Sequence, residues 1–203
     1  MAMPLSTSLL YPFILFSIVS CFTPGPNNAM LMASGLNFGF RRTLPHILGV
    51  TLGYMFLILC LGLGLGVIFT AWPLAYTILK YAGAAYLLYL AWKIASADPH
   101  APKSSHRQKP FNFFQGAAFQ WVNVKGWVMA VGAVSTYAAI SSYPYNVLLL
   151  SGIFGAVGIG STFTWTIFGT TLQHLLKNPR NVRIFNIIMA ILLVASIYPV
   201  FTE

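Results

Sequence analysis

Six stretches of this chain stay apolar for long enough to cross a lipid bilayer, at about 8–34, 44–70, 73–93, 112–139, 146–174 and 182–201. A hydrocarbon core about 30 Å thick asks for roughly 20 apolar residues per helical span, and tilt accommodates the longer stretches. Only 6% of the 203 residues are charged, against about 25% in ordinary soluble domains. The spans use most of the chain, so no room is left for a soluble domain. The expectation is an all-α integral membrane protein: one transmembrane domain over 1–203, with six helices.

The charges fix an orientation. Eleven Lys and Arg stand against two acids, Asp98 and Glu203, for a net charge of +9. A basic balance can signal nucleic acid, but here the positives fall in the gaps between apolar stretches. Arg41 and Arg42 lie in the first gap. Lys103, Arg107 and Lys109 lie in the third, with Lys93 at its edge. Lys177, Arg180 and Arg183 lie in the fifth. The second gap, around Trp72 and Pro73, and the fourth, at 141–146, carry none. The positive-inside rule then places odd gaps in the cytoplasm and both termini outside. No nucleic-acid partner is expected. Met1 to Leu10 has no charged leader region and no cleavage site, so the first helix itself is expected to direct insertion.

The third gap, about 94–111, reads as a flexible cytoplasmic linker, with Asp98-Pro99-His100-Ala101-Pro102 at its head. It divides the chain into a first repeat at about 1–98 and a second at about 112–203, of three spans each. Three is odd, so the second set must run opposite to the first, the layout of an inverted repeat.

Each half opens on an interrupted span. In the first, Thr23-Pro24-Gly25-Pro26-Asn27-Asn28 sits inside an apolar run. Proline lacks a backbone N–H and clashes with the preceding turn, at about 3 kcal/mol in a helix interior. The first helix is therefore expected to break at Pro24-Gly25-Pro26. Lipid cannot satisfy the freed carbonyls, so protein or trapped water must. Asn27 and Asn28 are placed to cap the second half-helix, whose N-terminus favours an anionic group. A kink that only shapes packing is the plainer alternative. In the second half the interruption is Gln120-Trp121-Val122-Asn123-Val124-Lys125-Gly126.

Lys125 is the ionisable residue deepest in a span. A charge at the bilayer centre costs about 2.5–3.5 kcal/mol on insertion scales, and such residues usually face the bundle interior. The alternative is snorkelling to a headgroup. On an ideal helix Asn123 and Lys125 point about 200° apart, so they share a site only if the helix is distorted there. No Asp or Glu lies inside a span, which removes a carboxylate proton relay. His46 and His174 read as helix-end residues. No metal site, nucleophilic set or phosphate-binding loop is apparent, and the chain is expected to be no enzyme and to carry no cofactor.

Small residues mark close approach between spans. Gly49 and Gly53 form a GxxxG frame in the second. Ser151, Gly155, Gly158, Thr162, Thr166, Gly169 and Gln173 line one face of the fifth, for packing or for a polar path. The sixth span reads as peripheral. Cys21 and Cys60 read as buried thiols.

The ordered motifs resemble a known family. Pro24-Gly25-Pro26-Asn27, Gly39-Phe40-Arg41-Arg42, Gly49-Val50-Thr51-Leu52-Gly53 and the run from Gly83 to Lys93 are similar to those of the LysE/RhtB amino-acid exporters. Asn123-Val124-Lys125 stands where many members have Asn-Pro-Lys, and the Val is similar to the cysteine and O-acetylserine exporter branch. The resemblance implies six helices in the bacterial inner membrane and export of small amino acids or derivatives, with protons as the coupling ion. A homodimer is one assembly left open. The expected substrate-binding residues are Pro24, Gly25, Pro26, Asn27, Asn28, Asn123 and Lys125. The competing functions are a membrane thiol–disulfide carrier, which lacks a thiol in the second half, and a scaffold without transport.

Overall fold

The computed structural model describes residues 5–65, 73–97, 109–176 and 178–196. Every regular element among them is helical. The eight α-helices are α1 Thr7–Phe22, α2 Pro26–Phe38, α3 Phe40–Cys60, α4 Pro73–Ala95, α5 Phe113–Gln120, α6 Val124–Thr136, α7 Tyr145–Leu175 and α8 Pro179–Ala195. Lys103, Arg107 and Lys177 lie outside the described residues, as does the acid pair Asp98 and Glu203.

The first apolar stretch is two helices meeting at a 52° bend. Pro26 stands at the first position of α2, where its missing N–H costs no bond. The stretch at 112–139 is likewise split, into α5 and α6. An Asn112–Gln115 capping box starts α5, and Trp121, Val122 and Asn123 separate it from α6. The sequence left that second break open, because position 124 is Val. The chain breaks there without a proline.

Two differences from the sequence reading concern boundaries. The first charged gap closes to one residue: Gly39 alone separates α2 from α3, at φ 77°, and Arg41 and Arg42 fall in the first turn of α3. Glycine adopts that left-handed angle without penalty. The second stretch does not run on as one regular helix. It ends in a π-helical turn, Leu61–Leu65, with Gly64 at φ 108°.

Among the described residues, α3 with its π turn and α7 are long and apolar enough to cross a membrane, and the bent pair α1–α2 makes a third. Their outward faces stay apolar, with Leu15, Phe56 and Ile167 each more than half exposed. In lipid that surface is solvated by acyl chains, so packing rests on close contact and not on escape from water.

The contacts are made by glycines. A Cβ on Gly49 would strike the backbone carbonyl of Phe113, and one on Gly53 would sit 2.6 Å from Ala117 Cα. The GxxxG frame of α3 therefore seats α5. On α7, a Cβ at Gly169 would strike the Met32 carbonyl, and one at Gly35 of α2 would strike that of Thr166. Helices α3 and α7 also pack on each other, and α4 packs on α8. The last helix is only half peripheral. Its Ile187 and Ile191 face outward, but Asn186 is fully buried and exchanges hydrogen bonds of 2.7 and 2.9 Å with Asn37 of α2.

Candidate functional site

The two breaks lie against each other. The last turn of α1 leaves carbonyls without helical partners, and the structure supplies them from all sides. Thr23 N–H donates to Val19 O at 3.0 Å, and Thr23 Oγ1 to Ser20 O at 3.0 Å. Cys21 O accepts from Asn28 Nδ2 at 3.0 Å and from Ser161 Oγ of α7 at 2.7 Å. Thr23 O accepts from Asn28 Nδ2 at 2.8 Å.

Lys125 completes the set from the second half. Its Nζ donates to Thr23 O at 2.7 Å, to Thr23 Oγ1 at 2.8 Å and to Pro24 O at 3.3 Å. The side chain turns inward to the break instead of rising to a headgroup. An ammonium at the C-terminal end of α1 also meets the negative pole of that half-helix. Gly25 is needed here for space. A Cβ at that position would lie 2.8 Å from Lys125 Cδ and 3.1 Å from its Nζ.

The asparagines do not act as expected. Neither Asn27 nor Asn28 caps α2, whose N-cap is Gly25 without a side-chain bond. Asn28, 6% exposed, turns back onto α1, because its NH₂ can serve two freed carbonyls at once. Asn27 pairs with Gln120 at the end of α5, through Nδ2 to Oε1 at 2.9 Å and Nε2 to Oδ1 at 3.0 Å. That amide pair ties the first break to the second. The first N–H groups of α2, on Asn27 and Asn28, are left without a helical acceptor, as at any helix start.

A cavity of about 60 Å³ sits at this junction, with room for a few waters. Gly25, Pro26, Asn27, Asn28, Asn123 and Lys125 all line it, and Pro24 does not. Of the seven expected residues, six therefore share one wall system and the seventh lends only its carbonyl. Cys21 also lines the cavity. Both cysteines are unpaired thiols.

Asn123 and two further lining residues have buried oxygens without a partner among the described residues: Asn123 Oδ1, Thr51 Oγ1 and Tyr54 OH. Their residues are 3%, 7% and 8% exposed. A buried polar atom left unpaired costs about 1–3 kcal/mol, and three such atoms belong to residues of this one cavity wall. Asn123 and Lys125 both reach it because the backbone at Asn123 is extended, at φ −85° and ψ 95°, so the 200° separation of a regular helix does not apply.

Sequence reasoning missed Thr51, Tyr54, Ser161 and the role of Gln120. Gln120 lay inside the quoted interruption. Thr51 and Tyr54 stand three apart on α3, one helical face, but nothing in the sequence distinguishes a hydroxyl that is paired from one that is not. The small stripe of α7 divides its labour. Gly155 and Gly169 pack against Met55 and Met32, whereas Gly158 has open space and lines the cavity beside Thr162.

Comparison with known proteins bears on the same residues. The model of the LysE type translocator family matches residues 18–196, which include both breaks. The cysteine/O-acetylserine efflux proteins of Escherichia coli (strain K12) and Shigella sonnei (strain Ss046) are each 31% identical to this chain over 192 residues, 94% of it and 96% of theirs. No solved structure matches the chain.

Proposed function

The chain belongs to the LysE family of translocators, and on that premise we propose that it exports small zwitterionic amino acids or their derivatives, cysteine and O-acetylserine among them, across the bacterial inner membrane. The observation that carries this reading is the cavity at the two breaks, whose wall holds Lys125 and three residues with unpartnered buried oxygens, Thr51, Tyr54 and Asn123.

The chemistry matches a zwitterion. Lys125 takes the substrate carboxylate, aided by the N–H groups that open α2. As it does so it lets go of Thr23 O and Pro24 O, and those carbonyls, with Asn123 Oδ1, accept from the substrate ammonium. The exchange leaves one ammonium on those carbonyls before and after loading. Thr51 and Tyr54 hydroxyls meet the side chain. At about 60 Å³ the cavity admits a few waters, so loading requires Lys125 to swing off the break.

The reading includes six spans in two inverted repeats, about 1–98 and 112–203 with the cytoplasmic linker at about 94–111, and both termini periplasmic. Three features support the inversion. Each half opens on a broken span, α3 packs on its counterpart α7, and α4 packs on its counterpart α8. Protons are the coupling ion in this proposal. Efflux from loaded cells across a panel of amino acids, with and without an uncoupler, tests it. Export of cysteine or O-acetylserine should collapse with the uncoupler. Lys125→Met should abolish export at normal membrane levels, since it removes charge and keeps length. Undiminished efflux in that variant overturns the site, and no efflux of any amino acid by the unaltered chain overturns the function.

A further inference from the structure

A second and larger cavity, of about 380 Å³, opens between the ends of α2 and α4 and the approach to α5. Lys93 and Lys109 are its charged lining groups, and Tyr89, Trp92, Asn37 and Phe111 complete the walls that matter here. It shares no lining residue with the central cavity, and export as proposed above makes no use of it.

Lys93 is half-buried, yet its described partners are neutral. Nζ donates to Gln115 Oε1 at 3.2 Å and stands 4.4 Å above the Phe111 ring. Gln115 is itself fixed from three sides. It forms the capping box with Asn112, its Nε2 donates to Tyr89 OH at 3.3 Å, and its carbonyl accepts from Tyr86 OH at 3.0 Å. The ammonium is thus aimed, not loose. Desolvating a cation against neutral partners favours a bound anion.

Depth and surroundings say which kind. Lys93 lies nineteen residues beyond Leu74 on one helix, about 28 Å at 1.5 Å per residue. That is about the thickness of the hydrocarbon core, so on the six-span reading proposed above, in which α4 is a span, Lys93 sits at headgroup level. Trp92 and Tyr89, 66% and 42% exposed beside it, are the aromatic pair of a membrane interface. The cavity walls from Phe38, Ile94 and Phe111 are apolar, as the first carbons of acyl chains require and a free ion does not. Basic pockets between helices bind anionic headgroups in this way.

We propose that this cavity binds the phosphodiester headgroup of an anionic phospholipid, with Lys93 and Lys109 on the phosphate and Tyr89 and Trp92 flanking the glycerol. The site is stabilising and lies outside the transport cavity.

The full chain in nanodiscs tests it. In phosphatidylcholine discs supplemented with one-fifth phosphatidylglycerol, its Tm should rise by about 4 °C over pure phosphatidylcholine, the scale that two lysine–lipid contacts give a chain of this size. Lys93→Gln with Lys109→Gln should lose most of that rise while matching the unaltered chain in pure phosphatidylcholine. The paired Arg variant should keep it, which guards against a misfolded Gln variant. A third arm adds millimolar sn-glycerol 3-phosphate to the pure phosphatidylcholine discs. An equal rise there assigns the cavity to soluble phosphates and overturns the lipid. A phosphatidylglycerol rise that survives the double Gln variant, or no rise in the unaltered chain, also overturns it.

Discussion

Lys125 does two jobs that separate experimentally. It closes the carbonyl end of α1, and in the proposal it receives a carboxylate. Gly25→Ala tests whether both depend on where Nζ sits. The added Cβ meets the flexible Lys125 stem at 2.8 Å and not backbone, and Gly25 is extended, at φ −174°, so the variant should fold. It should displace the ammonium from the cavity and cut efflux at least about tenfold, a change of about 1.4 kcal/mol, with Tm within about 2 °C of the unaltered chain. Normal efflux from a well-folded Gly25→Ala would show that the position of Nζ is immaterial. At this scale the sequence was most informative about charge and least about partnership. A lysine deep in an apolar stretch announces itself, as do two prolines around a glycine. The roles of Asn27 and Asn28 did not, because their tertiary partners, Gln120 and the α1 carbonyls, lie across the bundle or behind the bend. Thr51 and Tyr54 were invisible for the same reason: an unpaired hydroxyl is a property of the assembled cavity.

Between helices, contact is decided by which glycine faces a backbone. On α7, Gly169 lies against the Met32 carbonyl, whereas Gly158 faces open space. The same substitution therefore has opposite consequences at two positions of one helix. Gly169→Ala should destabilise by about 1–3 kcal/mol through overpacking, read as a fall in Tm of several degrees and a lower folded yield. Gly158→Ala should leave Tm within about 1 °C and alter transport instead, since Gly158 lines the cavity. Equal Tm values for the two variants would remove the distinction between packing and lining residues. The extents of the helices were legible in the hydrophobic stretches to within a few residues. The split between α5 and α6 was legible only as a polar interruption at Gln120–Gly126, because the break itself rests on the extended backbone at Asn123 and on no helix-breaking residue. The Trp127 indole donates to the Trp121 carbonyl at 2.9 Å.

For the molecule as a whole, the placement of charge is the main evidence of orientation. Arg41 and Arg42 lie in the first turn of α3, Lys93 in the last turn of α4 and Lys109 on the approach to α5; Lys93 and Lys109 line one cavity, and Arg42 stands 5.5 Å over the ring of Phe38 in its wall. If that end faces the cytoplasm, reporter fusions at the C-terminus should give phosphatase activity and no fluorescence. Fusions within 98–108 should give the reverse. A fluorescent C-terminus would invert every statement about sidedness while leaving the contact between the two breaks intact. The single residue between α2 and α3 has a mechanical consequence. Gly39 is too short a connection to absorb a reorientation, and Ser34 and Thr43, their hydroxyls 3.1 Å apart, stitch the two helices across it. A displacement of α2 would then be passed to α3, with the three residues Thr23–Gly25 at one end and the π turn around Gly64 at the other as the short segments that would absorb it. Lys125 is fastened at the first of these, so in the proposed export the pair would be released at the point where the cargo arrives.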